Sequence, residues 1–328
     1  MTKDKTTKDM ADSVNEREIV LDILLELNRP EAMSHLVIGA ALKKYQYLLK
    51  HQRSFITRLA QGTLERRIEL DYIINQYSKT PVRKMKPLFA DSSRVSQVKE
   101  KGTCDYVTQV DIQVQKLVKE GLYSMYPQVQ FMGEEQDNSA IDRSGDFWIL
   151  DPVDGTTNLI HDFRHSTLSL AYAEAGEVVL GIVYQPYTDE LFIAKKGEGA
   201  FLNGDPIHVS GAETLSESLV TIGTSPYYHE LADWNFKVFK EVFLSCQDIR
   251  RLGSAALDMA YVACGRVDAF FEAILQPWDF SAAKLLIEEA GGKVTDFAGK
   301  ELPVGMPGAV LAGNGKINEE LLRILSEK

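Results

Sequence analysis

Short apolar runs separated by turn residues dominate the middle of the chain. Val129 to Met132 and Phe147 to Leu150 are two such runs, and both read as buried strands. Ser166 to Ala173 alternates and turns at Glu174-Ala175-Gly176-Glu177. Val178 to Tyr184 follows, then a Pro186-Tyr187-Thr188-Asp189 turn and Leu191 to Ala194. These three predict an antiparallel meander, and Ala309 to Ala312 adds a late strand. Apolar positions at helical spacing predict helices over roughly 111–125, 231–244, 254–264, 280–290 and 317–326. The first carries Val114, Leu117, Val118 and Leu122 on one side, and the fourth is closed by Gly291-Gly292. Helices and strands in this order argue for α/β layers.

The N-terminal part has a different pattern. Ser13-Val14-Asn15-Glu16 is a capping box, and Ile19, Val20, Ile23, Leu24 and Leu27 follow at helical spacing until Pro30. Ser34 to about Tyr47 reads as a second helix. A third begins near His51, with Phe55, Ile56, Leu59, Leu64, Ile68, Ile73 and Ile74 as apolar positions and Gly62 weakening its middle. The domain boundary is expected between residues 88 and 89, with a small all-helical segment before it.

Composition narrows the function classes. With 328 residues, 45% hydrophobic and 25% charged, the chain suits a large globular domain plus a small one. The net charge of −11 is unevenly spread. Residues 1–88 hold 16 Lys and Arg against 11 Asp and Glu, whereas the remainder holds 20 against 36. The acidic part is unsuited to a phosphate backbone, which needs a basic surface. Cys104, Cys246 and Cys264 are scattered and lack zinc spacing. No run is apolar enough to span a bilayer, and Met1 to Asn15 has no signal core. A cytoplasmic protein without membrane partners is the expectation.

The candidate chemistry lies in Asp151-Pro152-Val153-Asp154-Gly155-Thr156-Thr157-Asn158. Two carboxylates stand three residues apart at the expected end of an apolar strand. Pro152 stiffens the turn, Gly155 allows close backbone approach, and Thr156 to Asn158 suit a helix start that attracts an anion. Neighbouring carboxylates repel unless neutralised, and an all-oxygen set suits a hard cation such as magnesium. Glu134, in Gly133-Glu134-Glu135, is another acid at a strand end. Asp279, after Trp278, and Asp111 open helices, and each taken alone reads as an N-cap. Glu272, in Asp268-Ala269-Phe270-Phe271-Glu272, taken alone reads equally as a solvated strand-end acid or a functional one.

In combination, three motifs in order resemble the inositol monophosphatase family: Gly133-Glu134-Glu135, Asp151 to Thr156, and Trp278-Asp279 with Glu289-Ala290-Gly291-Gly292. The resemblance implies a layered αβαβα sugar-phosphatase fold, commonly dimeric, and a magnesium-dependent, lithium-sensitive phosphatase. It implies that Glu134, Asp151 and the Val153 carbonyl bind one magnesium, and Asp151, Asp154 and Asp279 a second. Glu134 would reach a third, weaker ion through water. Asp111 and Thr156 match the pair that orients the attacking water. The Gly155 and Thr156 N–H groups match the phosphate cradle. Gly253, Ser254 and Ala255 match a loop that lines the pocket, and Glu272 matches an acid that binds substrate hydroxyls. Ser281 departs from the family's Ala or Cys, a change expected to affect packing only. The implied reaction is in-line attack of water on a small phosphorylated polyol or sugar, inositol 1-phosphate foremost, without a covalent intermediate. Related phosphatases acting on fructose 1,6-bisphosphate or a nucleotide 3′-phosphate would share the metal site. Tyr227, Tyr228 and Gln276 are candidates for the pocket that would distinguish them.

Residues from about 13 to 88 resemble a NusB-like RNA-binding domain, as found in antitermination factors and ribosomal RNA cytosine methyltransferases. The resemblance is carried by Arg17 to Leu25, Ser34-His35-Leu36-Val37, Arg53 to Leu59 and Gly62 to Lys79. It stops near Leu88, about halfway through that fold. Pro81, Pro87 and Asp91-Ser92-Ser93 occupy the place of the phosphatase family's first helix. Residues 1–88 therefore have two readings, an RNA-binding segment or a solvated fusion remnant. A third alternative for the whole chain is an RNA-associated regulator on a phosphatase scaffold, although intact acids argue against a dead enzyme.

Overall fold

The computed structural model describes residues 34–44, 48, 99–102 and 105–326. The chain divides into two compact units, residues 1–73 and 74–328. In the first, helix α1 (Ser34–Lys44) falls inside the helix expected over 34–47, and Ile38 and Leu48 are buried. The helices expected before and after it lie outside the described residues.

The second unit is layered. A hairpin of β1 (Lys99–Gly102) and β2 (Asp105–Val107) precedes helix α2 (Gln109–Met125). A seven-stranded sheet follows in sequential order: β3 (Gln130–Gly133), β4 (Phe147–Asp154), β5 (Thr167–Glu174), β6 (Glu177–Gln185), β7 (Glu190–Lys195), β8 (Gly199–Leu202) and β9 (Asp205–Pro206). Only β3 and β4 pair in parallel, and the expected meander is β5–β6–β7. The short helix α3 (Thr156–Ile160) leaves the end of β4.

A second sheet contains β10 (Leu219–Ile222), β11 (Asp248–Arg250), β12 (Ala269–Leu275), β13 (Lys293–Thr295) and β14 (Gly308–Gly313), ordered β11-β10-β12-β14-β13. Helices α5 (Ala255–Ala263) and α6 (Pro277–Glu289) pack between the sheets. Helices α4 (Ala232–Ser245) and α7 (Asn318–Ser326) cover the second sheet, and α2 packs on β4. The layers are αβαβα, as the resemblance implies.

Apolar side chains of α5, α6 and both sheets form the main core, including Phe147, Phe192, Phe270, Leu257 and Leu286. Small residues set its spacing. A Cβ at Gly181 of β6 would fall 2.4 Å from the Ala282 carbonyl oxygen of α6, so the helix can approach the sheet only where that strand lacks a side chain. Ser281 donates to the Pro277 carbonyl at 2.5 Å and is buried without an orphaned hydroxyl.

Strand β4 corrects one expectation. It does not stop at Leu150; it runs to Asp154 with all eight residues buried. Asp151 is thus inside the strand. Its ladder with β5 jumps from Asp151 opposite Ser169 to Asp154 opposite Thr167, across Pro152, which has no N–H to donate. The irregularity lets carboxylates separated by two residues face one region.

Candidate active site

Backbone N–H and hydroxyl donors hold Asp111, Asp151, Asp154 and Asp279 in place. The Asp111 and Asp279 carboxyls are not N-caps. Thr108 and Gln276 occupy the cap positions, and the acids sit three residues on, reaching back in capping boxes. Asp111 Oδ2 accepts from Thr108 N at 2.8 Å and from the Thr108 hydroxyl. Asp279 Oδ2 accepts from Gln276 N at 2.7 Å. Asp151 Oδ1 accepts from Val153 N at 2.9 Å. Asp154 Oδ2 accepts from the Ser254 hydroxyl at 2.6 Å and Ala256 N at 2.7 Å, at the N-terminus of α5, where a negative charge is favoured.

A cavity of about 920 Å³ gathers these groups: Glu134, Asp151, Val153, Asp154 and Asp279 all line it. So do Gly155, Thr156, Gly253, Ser254, Ala255 and Glu272. Tyr227, Tyr228 and Gln276 are placed in the same wall. Asp111 lies behind the wall. It is fully buried and meets the cavity through Thr156, whose Oγ1 is 3.1 Å from Asp111 Oδ1 and 3.0 Å from the Val153 carbonyl.

Gly155 turns the chain with φ of 86°, a left-handed value that favours glycine. A Cβ there would stand 3.0 Å from the carbonyl oxygens of Gly253 and His165. The turn therefore brings the first N–H groups of α3 to the cavity, where they have no partner within the helix.

The electrostatics are those of crowded acids. Burial is the largest cause raising the Asp151 carboxyl well above its ordinary value, followed by the charges of Glu134, Asp154 and Asp279. Burial, then the charges of Asp154 and Glu134, raises Asp279 likewise. Burial pushes Asp154 up to about 6 and Glu272 up to about 7, against the opposing effects of hydrogen bonds and Arg251. Burial also raises Asp111, against its hydrogen bonds with Thr108 and Thr156.

This donor set fits a hard divalent cation. Its members are all oxygens, and burial with mutual repulsion raises their affinity for a balancing positive charge. Among the described residues, no three His, Cys, Asp or Glu side chains already close on a common point. Magnesium does not require such a cage: it usually keeps several waters and takes one or two carboxylates plus phosphate oxygens.

For Glu272 the structure excludes the solvated reading. It lies inside β12, is 7% exposed, and accepts from Ser225 N at 2.6 Å through Oε1. It is not solvated: β14 pairs with it through Val310, and the 223–225 segment after β10 covers its carboxyl. A Cβ at Gly223 would fall 1.9 Å from Glu272 Oε2. Gly223→Ala must therefore displace that carboxyl, and we expect about a tenfold higher KM for a hydroxylated substrate with a smaller change in kcat. Steady-state kinetics check this.

Arg251, Asp258 and Gly223 also line the cavity and were not anticipated. Asp258 had a readable signal. It is the one charged residue in the apolar α5 sequence AALDMAYVA, and such a residue calls for a partner or a function. Arg251 and Gly223 carry no comparable local mark.

A layered fold around an acid-lined cavity of this kind is that of a phosphoric monoester hydrolase. The inositol monophosphatase family model matches residues 72–328, and the chain belongs to that family. The NusB family model matches residues 14–96, so the two matches overlap over 72–96. An inositol monophosphatase of Dictyostelium discoideum is 41% identical over 244 residues, covering 72% of this chain and 88% of that protein. The Nus factor SuhB of Salmonella typhimurium is 38% identical over 226 residues, covering 69% and 84%. Among solved structures, the extragenic suppressor protein SuhB of Bartonella henselae superposes with a TM-score of 0.71 at 34% identity, covering 79% of this chain and 99% of that one. No helix among the described residues is long and apolar enough to cross a membrane.

Proposed function

We propose that the protein is a magnesium-dependent, lithium-sensitive phosphatase of small polyol phosphates, with inositol 1-phosphate as the preferred substrate. The observation that carries this reading is the gathering of Glu134, Asp151, the Val153 carbonyl, Asp154 and Asp279 in the wall of one cavity, beside the Gly155 turn. Glu134, Asp151 and the Val153 carbonyl would hold one magnesium, and Asp151, Asp154 and Asp279 another. When bound, magnesium supplies charge neutralisation at the phosphate and lowers the pKa of water.

The chain supplies the positioning. Asp111 Oδ2 is occupied by Thr108, so Oδ1 is the oxygen available to Thr156. The single Thr156 hydroxyl proton, directed to Asp111, leaves Thr156 lone pairs to accept from a water in the cavity. That water's own lone pair then faces the phosphorus. Its proton can pass through Thr156 to Asp111, whose burial makes it a stronger base than an exposed aspartate. The Gly155 and Thr156 N–H groups hold phosphate oxygens. Glu272 accepts from substrate hydroxyls.

Phosphate release from inositol 1-phosphate, fructose 1,6-bisphosphate and adenosine 3′-phosphate tests the reading, with and without magnesium and lithium. The expected result is magnesium-dependent release, fastest for inositol 1-phosphate and suppressed by lithium. No release from any of the three overturns it.

The NusB match over 14–96 favours a second role for the N-terminal segment. We propose that residues 1–88, with their excess of Lys and Arg, contact RNA. RNA titration of the full chain should show affinity that falls steeply with salt. No binding at low salt overturns it.

A further inference from the structure

A single amide ties the turn after β4 to both sheets. Asn158 lies in α3, is 8% exposed and does not line the cavity. Its Nδ2 donates to the His165 carbonyl at 2.8 Å and to the Leu252 carbonyl at 2.8 Å. Both partners can only accept, so the nitrogen faces them and both of its protons are used. His165 stands just before β5 of the first sheet, and Leu252 just after β11 of the second. The same two segments hold the turn itself. From the first, the Ser166 hydroxyl donates to the Gly155 carbonyl at 2.8 Å. From the second, the Ser254 hydroxyl donates to Asp154 Oδ2 at 2.6 Å and lies 3.3 Å from the Thr167 hydroxyl. The packing is close. A Cβ at Gly253 would stand 3.1 Å from Asn158 Nδ2, and one at Gly155 would stand 3.0 Å from the His165 and Gly253 carbonyl oxygens. Helix α3 spans five residues and has no side-chain cap. So short a helix is not held by its own hydrogen bonds, and the grip on the turn comes from these neighbours.

We propose that Asn158 is a positioning residue for the hydrolysis: its amide fixes the Asp154-Gly155-Thr156 turn between the two sheets. The acid, the N–H groups that face phosphate and the Thr156 hydroxyl then keep one mutual geometry. This rests on the phosphatase reading above and adds a residue that touches neither substrate nor metal. Without the amide, two carbonyls lose their donor and the segments that carry them must shift to find water. A shift of about 1 Å at the turn is enough to cost on the order of a hundredfold in rate, because the reacting atoms must meet within narrow limits.

Two variants of the full chain test this, in saturating magnesium and at a temperature where melting curves show each one folded. Asn158→Leu nearly keeps the volume and removes both donors. Asn158→Asp keeps the shape and sets a carboxylate, which can only accept, against two carbonyl oxygens. In Asn158→Leu, kcat/KM for inositol 1-phosphate should fall by about tenfold or more, and the inhibition constant of inorganic phosphate should rise by a similar factor. The ratio of its kcat/KM to the wild-type value should not vary with pH. In Asn158→Asp that ratio should fall as pH rises from about 6 to about 9. Burial raises the new carboxyl, and only its protonated form can donate to a carbonyl. Asn158→Asp decides the matter if Asn158→Leu does not fold. An amide with a purely structural role gives a lower melting temperature with unchanged kcat/KM and unchanged phosphate inhibition. That result, or a ratio independent of pH in Asn158→Asp, overturns the proposal. A wild-type protein that releases no phosphate instead overturns the phosphatase reading itself.

Discussion

Asp151→Asn should reduce phosphatase activity on the order of a thousandfold or more, while the metal-free protein melts at the same or a higher temperature. The two halves of this result have different causes. Asp151 is the acid shared by both proposed magnesium positions, and an amide oxygen there carries no charge to hold a divalent ion. The fold, by contrast, gains from the change. Asp151 is 3% exposed and faces the charges of Glu134, Asp154 and Asp279. An asparagine has the same shape and still accepts from Val153 N. Removing a buried negative charge from a group of like charges relieves repulsion. Phosphate release and thermal melting in EDTA, measured on both proteins, check the two halves. Near-normal activity would overturn the proposed role. A large drop in melting temperature would show that Asp151 is a structural acid. Asp279→Asn should follow the same pattern, because burial and the same neighbours act on it.

The acids of the site were legible because each stands beside a local signal. Glu134 follows the short apolar strand β3, Asp154 precedes a glycine with positive φ, and Asp279 lies beside Pro277 at a helix start. The meander was legible from its alternation and its turn, where Ala175 and Gly176 both take positive φ. The second sheet was mostly hidden. β10, β11 and β13 span only three or four residues each, too few for a period to emerge, and pairing with distant strands decides their conformation. The burial of Glu272 was hidden for the same reason. Phe270-Phe271-Glu272 resembles a strand running out into solvent, yet the strand continues to Leu275 because β14 pairs with Glu272 and Leu275, whereas β10 pairs only as far as Phe271. The convergence of Arg251, Asp258 and Glu272 is likewise tertiary. A helix start, a strand interior and a loop meet only after the two sheets have enclosed α5.

The same crowding makes the stability of the metal-free protein depend on pH in an unusual direction. Most folded proteins gain from carboxylates whose affinity for protons is lowered by the fold, and lose stability in acid. Here Asp154 is raised to about 6 and Glu272 to about 7 in the folded state, chiefly by burial. The unfolded chain releases these protons near pH 4, so between about pH 4 and about pH 7 the native state binds more protons than the unfolded one. Stability contributed by these groups is therefore present below the unfolded value and lost as pH rises through the folded values. Each unit of difference corresponds to about 1.4 kcal/mol, so the two groups together oppose folding by several kcal/mol above neutrality. Asp151 and Asp279, also raised, extend the trend. Magnesium should reverse it by balancing the deprotonated acids. Ion at about 100 times its dissociation constant adds roughly 2.7 kcal/mol if only the native state binds, and the gain should shrink toward acid pH as protons compete for the same oxygens. Melting curves across this range, in EDTA and in saturating magnesium, should diverge as pH rises. Parallel curves, or a metal-free protein that stabilises steadily up to neutrality, would mean that the acids of this cavity do not share their charge with a divalent ion.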